Sequence, residues 1–232
     1  MTDDILVLRH WNDNDLGHLA PVLQDLDLAP VYLEAHQEMT VFPNPANYAG
    51  VVILGAHYNV DDVAAFPGLL AEKRFIRDAL SANRPLFGIC FGAQLLASVC
   101  GAPVRREQYA EKGWVNIALT PQGQDDPVFG RFAPALRQFH WHDDSFEMPP
   151  QATLLAESRT CPTQILRVGE KAYGVQFHPE VTPAIIETWL TQSVRMTETQ
   201  KTEMRAAVIA HYETARTEGQ ALFRAFWDYA LA

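Results

Sequence analysis

Residues 85–101 read PLFGICFGAQLLASVCG, and the fold turns on how this stretch is read. An apolar run leads into Gly88-Ile89-Cys90-Phe91-Gly92, one cysteine held between two glycines. This is the sulfur form of the nucleophile elbow, a sharp strand-to-helix turn with the reactive atom at its tip. Without a Cβ at either flank the chain can turn tightly, and the helix can pack close to the strand it has just left. Cys90 then stands at a helix N-terminus, where free N–H groups and the positive dipole end favour a thiolate. The pentapeptide alone also fits a packed core cysteine, because free cysteine is among the most buried residue types.

Working outward, apolar runs recur with helical patterns between them. Residues 5–8, 51–54, 85–89 and 172–177 read as buried strands. Leu69, Phe75, Ile76, Ala79 and Leu80 fall at helical spacing after Pro67-Gly68 and stop before Asn83-Arg84-Pro85. The expectation is an α/β fold with a mostly parallel central sheet flanked by helices and the site at the strands' C-terminal ends. From Gly113 to Leu166 short β-like pieces alternate with turns, which predicts a small antiparallel extension. A chain of 232 residues, 48% hydrophobic, suffices for one core, expected over residues 1–195. Residues 196–232 read as a C-terminal helical extension packed on that domain. Leu222, Phe226 and Ala230 form one stripe there, and Phe223, Trp227 and Leu231 its neighbour, while the polar run from Thr197 to Arg205 reads as a solvated helix start.

The elbow gains a partner in Tyr173-Gly174-Val175-Gln176-Phe177-His178-Pro179-Glu180-Val181. An alternating stretch ends in a histidine, a proline that cannot extend a ladder, and a carboxylate. A cysteine nucleophile needs a base, and the base needs a third group to orient it. Cys90, His178 and Glu180 fill those roles in that order.

These two motifs closely resemble class I glutamine amidotransferases, the glutaminase modules that release ammonia for a synthase. Val51-Val52-Ile53-Leu54-Gly55-Ala56 is similar to the strand and loop carrying the family's oxyanion donor. Glu111-Lys112-Gly113-Trp114, Trp141-His142-Asp143-Asp144-Ser145-Phe146 and Cys161-Pro162-Thr163-Gln164 follow in the order of stand-alone, GMP-synthase-like members, so the resemblance runs to about residue 190. It implies a cysteine-dependent amidohydrolase with Cys90 as nucleophile, His178 as general acid/base and Glu180 as its orienter. It further implies oxyanion donors at Phe91 and at Gly55-Ala56, and substrate contacts at Tyr58, Gln94, His142 and Asp143. The substrate would be glutamine, or a γ-glutamyl peptide or conjugate, and no metal or organic cofactor is implied. The chain would either pass the ammonia to a separate synthase subunit or act alone, no synthase-like sequence following the glutaminase-like region. The different reading is a catalytically silent relative with a binding or regulatory role. Two departures bear on the substrate: Gly55-Ala56-His57 stands where the family has Gly-Gly-Pro, and Asp143 replaces a usual glycine.

A formal net charge of −10 without a basic block argues against nucleic-acid or anionic-membrane partners. Cys90, Cys100 and Cys161 are too few for a disulfide framework or a CxxC metal site. Cys100 reads as core, and Cys161 as structural or pocket-lining. MTDDILVLRHW has no positive leader and no run reaches membrane-spanning length, so the cytoplasm is the expected compartment. His140, His142, Asp143 and Asp144 invite a metal reading, yet in a strand His140 and His142 share a face while Trp141 points away. The expectation drawn is a substrate-loop role and no metal.

Overall fold

The computed structural model describes residues 3–11, 14–37 and 40–232, which include every candidate site residue. Its strands are β1 (Asp4–Arg9), β2 (Ala29–Glu34), β3 (Gly50–Ile53), β4 (Leu86–Ile89), β5 (Val104–Arg105), β6 (Glu111–Leu119), β7 (Ala135–His142), β8 (Ser145–Phe146), β9 (Ala152–Ser158), β10 (Ile165–Val168) and β11 (Ala172–Val175). The helices are α1 (Ala20–Asp25), α2 (Gly68–Ser81), α3 (Phe91–Val99), α4 (Pro121–Gln124), α5 (Pro183–Gln192) and α6 (Glu198–Ala230). One nine-stranded sheet runs in the order β2-β1-β3-β4-β11-β10-β9-β6-β7, and β5 pairs with β8 apart from it. From β2 to β11 the neighbours are parallel; from β11 to β7 they are antiparallel. The antiparallel extension therefore continues the same sheet.

The apolar runs are continuous because both faces of the parallel half are covered. Along β1, Ile5 and Val7 join one core cluster with Leu222, Phe223, Phe226 and Trp227 of α6. Leu6 and Leu8 point the other way, to Phe75 and Ile76 of α2 and Leu95 and Leu96 of α3. The C-terminal half of α6 thus covers one face of the sheet. It sits so close that a Cβ on Gly50 would lie 2.5 Å from the Trp227 ring. Leu231 falls outside the expected stripe: it lies past the last helical residue and is 43% exposed. At the other end Thr197 caps α6, its Oγ1 accepting from Gln200 N while Gln200 Oε1 accepts from Thr197 N, the reciprocal capping-box arrangement.

Cys100 is half-buried where α3 ends and packs against the edge of the core, whereas Cys161 is buried with its Sγ 3.1 Å from Ser145 Oγ. β11 stops at Val175. Beyond it the backbone crosses to the antiparallel half, with Gln176 N donating to Gln164 O and His178 N to Phe139 O, both at 2.8 Å. Among the described residues no helix is long and apolar enough to cross a membrane.

Candidate active site

Cys90 occupies the turn between β4 and α3 with φ +51° and ψ −102°, the left-handed side of backbone space for a non-glycine residue. Such conformations cost about 1–3 kcal/mol and persist only where surrounding structure enforces them. Here the enforcement comes from Cys90 N donating to Val175 O at 2.7 Å and from Cys90 O accepting Gln94 N at 3.0 Å. The flanking glycines are steric necessities. A Cβ on Gly88 would lie 2.6 Å from the Gly92 carbonyl, and one on Gly92 would lie 2.3 Å from the Ile53 carbonyl oxygen. Phe91 opens α3, whose first N–H groups have no acceptor within the helix.

His178 and Glu180 follow β11 on a turn gripped from two sides. His18 N donates to Glu180 O at 3.2 Å, and a Cβ on Gly219 of α6 would lie 2.7 Å from Pro179 O. His178 Nδ1 is 2.7 Å from Glu180 Oε1, and Trp189 meets the imidazole edge-on at 4.8 Å. Its Nε2 is buried and has no hydrogen-bond partner among the described residues. Burial works against the imidazolium, but the charges of Glu180 and of the Cys90 sulfur, with the hydrogen bond to Glu180, outweigh it and push the His178 pKa up to about 10.

Gly55 faces this pair: a Cβ there would lie 3.2 Å from His178 Cε1 and 4.0 Å from Cys90 Cβ. Neither Gly55 nor Ala56 has a positive φ, so alanine in the loop imposes no left-handed strain. Asn14 Nδ2 donates to Gly55 O at 2.8 Å and fixes the loop's position. A cavity of about 30 Å³ lies between Gly55, Ala56, Cys90, His178 and Trp189, with room for a group the size of a water. Ala56 and Cys90 also border a cleft of about 530 Å³.

Tyr58, Gln94, His142 and Asp143 all line that cleft. Tyr58 stacks on Phe66 at 3.8 Å, and burial pushes its phenol pKa upward. Gln94 Nε2 donates to Asp144 O at 3.0 Å. Asp143 is held by Lys112 Nζ at 2.9 Å and Arg195 Nη1 at 3.3 Å. His142 borders the cleft, but both its ring nitrogens are engaged: Nδ1 is 3.1 Å from Asp144 O, and Nε2 is 3.2 Å from Glu111 Oε2. Burial disfavours the Glu111 carboxylate, yet hydrogen bonds from His140, His142, Ser158 and Thr160 hold its pKa well below the usual range. Glu111, His140 and His142 are the one group among the described residues whose side-chain atoms converge closely enough to hold a metal ion.

Several site residues escape a sequence reading. Gln176 Nε2 donates to Cys90 Sγ at 3.5 Å and its Oε1 accepts from Gln94 Nε2 at 3.4 Å. The available signal was parity, since Gln176 sits two residues before His178 in an otherwise apolar run. Asn14, Trp189 and Arg195 reach the site through tertiary packing and carry no local signal.

Fold and site together define an α/β protein with a strained cysteine at a strand–helix junction, beside a buried histidine–carboxylate pair. The chain belongs to the class-I glutamine amidotransferase family, whose profile, described as "Glutamine amidotransferase class-I", matches residues 19–194 and leaves α6 outside. It is 39% identical over 123 residues to a glutamine amidotransferase-like protein, YfeJ, of Salmonella typhimurium, covering 53% of this chain and 52% of that one. It is 28% identical over 183 residues to one subunit of a glutamine-hydrolysing GMP synthase of Halobacterium salinarum, covering 78% and 90%. The chain spans about half the length of the first curated relatives it matches, 52% for YfeJ and for the corresponding GMP synthase subunit of Pyrococcus abyssi. A glutamine amidotransferase from Thermotoga maritima superposes with TM-score 0.86 at 27% identity, covering 98% of this chain and 97% of that one.

Proposed function

We propose that this chain hydrolyses the side-chain amide of glutamine and releases ammonia. The observation that carries the reading is the left-handed Cys90 turn set against the His178–Glu180 pair at 2.7 Å. Cys90 thiolate attacks the γ-carbonyl carbon, and backbone N–H groups at Phe91 and at Gly55-Ala56 receive the oxyanion. His178, oriented by Glu180, gives its proton to the departing nitrogen, leaving a γ-glutamyl thioester. His178 then takes a proton from water, which attacks the thioester to yield glutamate and free Cys90. Gln94, Tyr58, His142 and Asp143 shape the substrate side. That the GMP synthase relatives are themselves subunits supports delivery of the ammonia to a separate synthase subunit.

A second reading, a γ-glutamyl conjugate as substrate, is favoured by the cleft of about 530 Å³, which lies within the roughly 300–1,000 Å³ range of drug-sized ligand sites. Ammonia release from glutamine, followed beside amine release from γ-glutamyl dipeptides, separates the two. The first reading expects glutamate and ammonia in equal amounts from glutamine and no turnover by Cys90→Ser. Turnover of dipeptides alone would move the assignment to the second.

A further inference from the structure

Behind the cleft wall, Glu111 of β6 pairs in register with His142 of β7, and His140 shares the His142 face two residues away. Glu111 Oε2 lies 3.3 Å from His140 Nδ1 and 3.2 Å from His142 Nε2, and the two nitrogens are 3.5 Å apart. Three ligands of a tetrahedral zinc ion, each about 2.0–2.1 Å from the metal, are separated by about 3.3–3.4 Å. The triangle has the edge lengths of one face of such a site.

Hydrogen-bond accounting points the same way. A carboxylate offers about four lone-pair positions. The hydroxyls of Ser158, at 2.5 Å, and Thr160 occupy those of Glu111 Oε1, and Gln164 Nε2, at 2.5 Å, takes one of Oε2. A single position remains for two imidazoles. His142 Nδ1 faces the Asp144 carbonyl at 3.1 Å, an acceptor only, which fixes the proton on Nδ1. In the neutral ring Nε2 then directs a lone pair at the carboxylate, a repulsive contact that either a proton on Nε2, donated to Glu111, or a cation between them removes. Donation of the other ring nitrogen to a backbone carbonyl, and hydrogen bonds to the far carboxylate oxygen, are the outer partners that metal ligands ordinarily have. Beside this cluster Gln164 Oε1 is buried without a partner among the described residues, the kind of unsatisfied atom that accompanies an ion or ordered water.

We propose that Glu111 Oε2, His140 Nδ1 and His142 Nε2 bind one borderline divalent cation, with zinc the best match to two imidazoles and a carboxylate. Three protein ligands leave the fourth position to water, and His142 borders the cleft, which provides a route in. The ion touches no reacting atom. It pins His142, and through it the Asp144 carbonyl that also receives Gln94 Nε2, while the Asp144 carboxylate receives Asn59 Nδ2 at 2.7 Å and Glu107 N at 3.1 Å. The ion thus sets the cleft wall.

The test uses the full chain purified without a histidine tag and equilibrated with micromolar zinc, then dialysed against metal-free buffer. Plasma mass spectrometry is expected to find about one zinc per chain. Cobalt in place of zinc is expected to give the visible absorption of a four-coordinate site, kept in Cys90→Ser and lost in Glu111→Gln and His140→Ala. At a hundredfold excess over Kd, zinc is expected to raise the wild-type unfolding midpoint by about 5 °C or more, a readout that holds even where the ligand variants fold poorly. Zinc below about a tenth of an equivalent with an unmoved midpoint overturns the proposal and leaves a proton in the triangle. A cobalt band that vanishes in Cys90→Ser overturns it equally, by placing the metal on the nucleophile.

Discussion

The two halves of the sheet hold their parts of the site by different means. In the parallel half, Cys90 follows β4, Gly55 follows β3 and His178 follows β11, each on a backbone packed between apolar layers. In the antiparallel half, the ends of β6 and β7 near the cleft carry Glu111, His140, His142 and Asp144, tied to one another and to Ser158, Thr160 and Gln164 by hydrogen bonds. The first arrangement is stiff because close-packed side chains leave no alternative position. The second is specific because its hydrogen bonds require particular partners in one geometry. The groups proposed to react thus rest on packing, and the wall proposed to recognise substrate rests on a polar network, so changes in the two halves should separate stability and rate differently.

The largest effect should come from the packed half. Gly92→Ala forces a Cβ to 2.3 Å from the Ile53 carbonyl oxygen, between two backbones that cannot give way. A loss of about 3 kcal/mol or more is expected in denaturant unfolding, with activity lost as well. A soluble variant with an unchanged midpoint would break the packing side of the comparison.

Next comes the His178–Glu180 pair. The His178 pKa, raised to about 10 from the ordinary 6.5, means the folded state holds its proton more tightly than the unfolded chain. This contribution to stability is whole below pH 6.5, declines as pH rises, and is gone above about 10. Denaturant midpoints across that window should show the decline, and Glu180→Gln should flatten it. The alkaline limb of kcat/KM should lie near 10 in the wild type and move down in Glu180→Gln.

A smaller effect is expected at the junction of the halves' contributions. Asn14→Ala frees the Gly55 carbonyl now held at 2.8 Å, so kcat should fall about tenfold while stability drops by about 1 kcal/mol. The smallest belongs to the recognition rim. Arg195 bridges Glu107 and Asp143 at 3.3 Å each but is 64% exposed, so Arg195→Ala should leave stability within about 1 kcal/mol and act on KM more than kcat. A large fall in kcat there would mean that the rim takes part in the chemistry.

How much of this was legible follows from the range of the interactions. The elbow could be read because its causes are local: two glycines flank Cys90, and the clashes they avoid involve the next helical turn and the adjacent strand. The parallel strands could be read because burial on both faces leaves an uninterrupted apolar run. β2 could not, since as an edge strand it is largely exposed and carries Pro30. Nor could the inward turn of the His142 ring, which depends on Glu111 lying opposite it across β6 and β7, thirty-one residues away in sequence. Asn14 lies in a polar run indistinguishable from a loop, and Trp189 on a helix that only tertiary packing brings to His178. The C-terminal helix showed its stripe plainly, although Leu231 falls beyond its end.

The central claim, that Cys90 is the attacking atom of a glutamine-cleaving site, is tested most directly by intact-mass measurement after exposure to a glutamine analogue bearing an electrophile in place of the amide. One adduct per chain, mapped to Cys90, blocked by excess glutamine and absent from Cys90→Ser, is the predicted result. No adduct on folded protein, or labelling of Cys100 or Cys161 with Cys90 untouched, would contradict it.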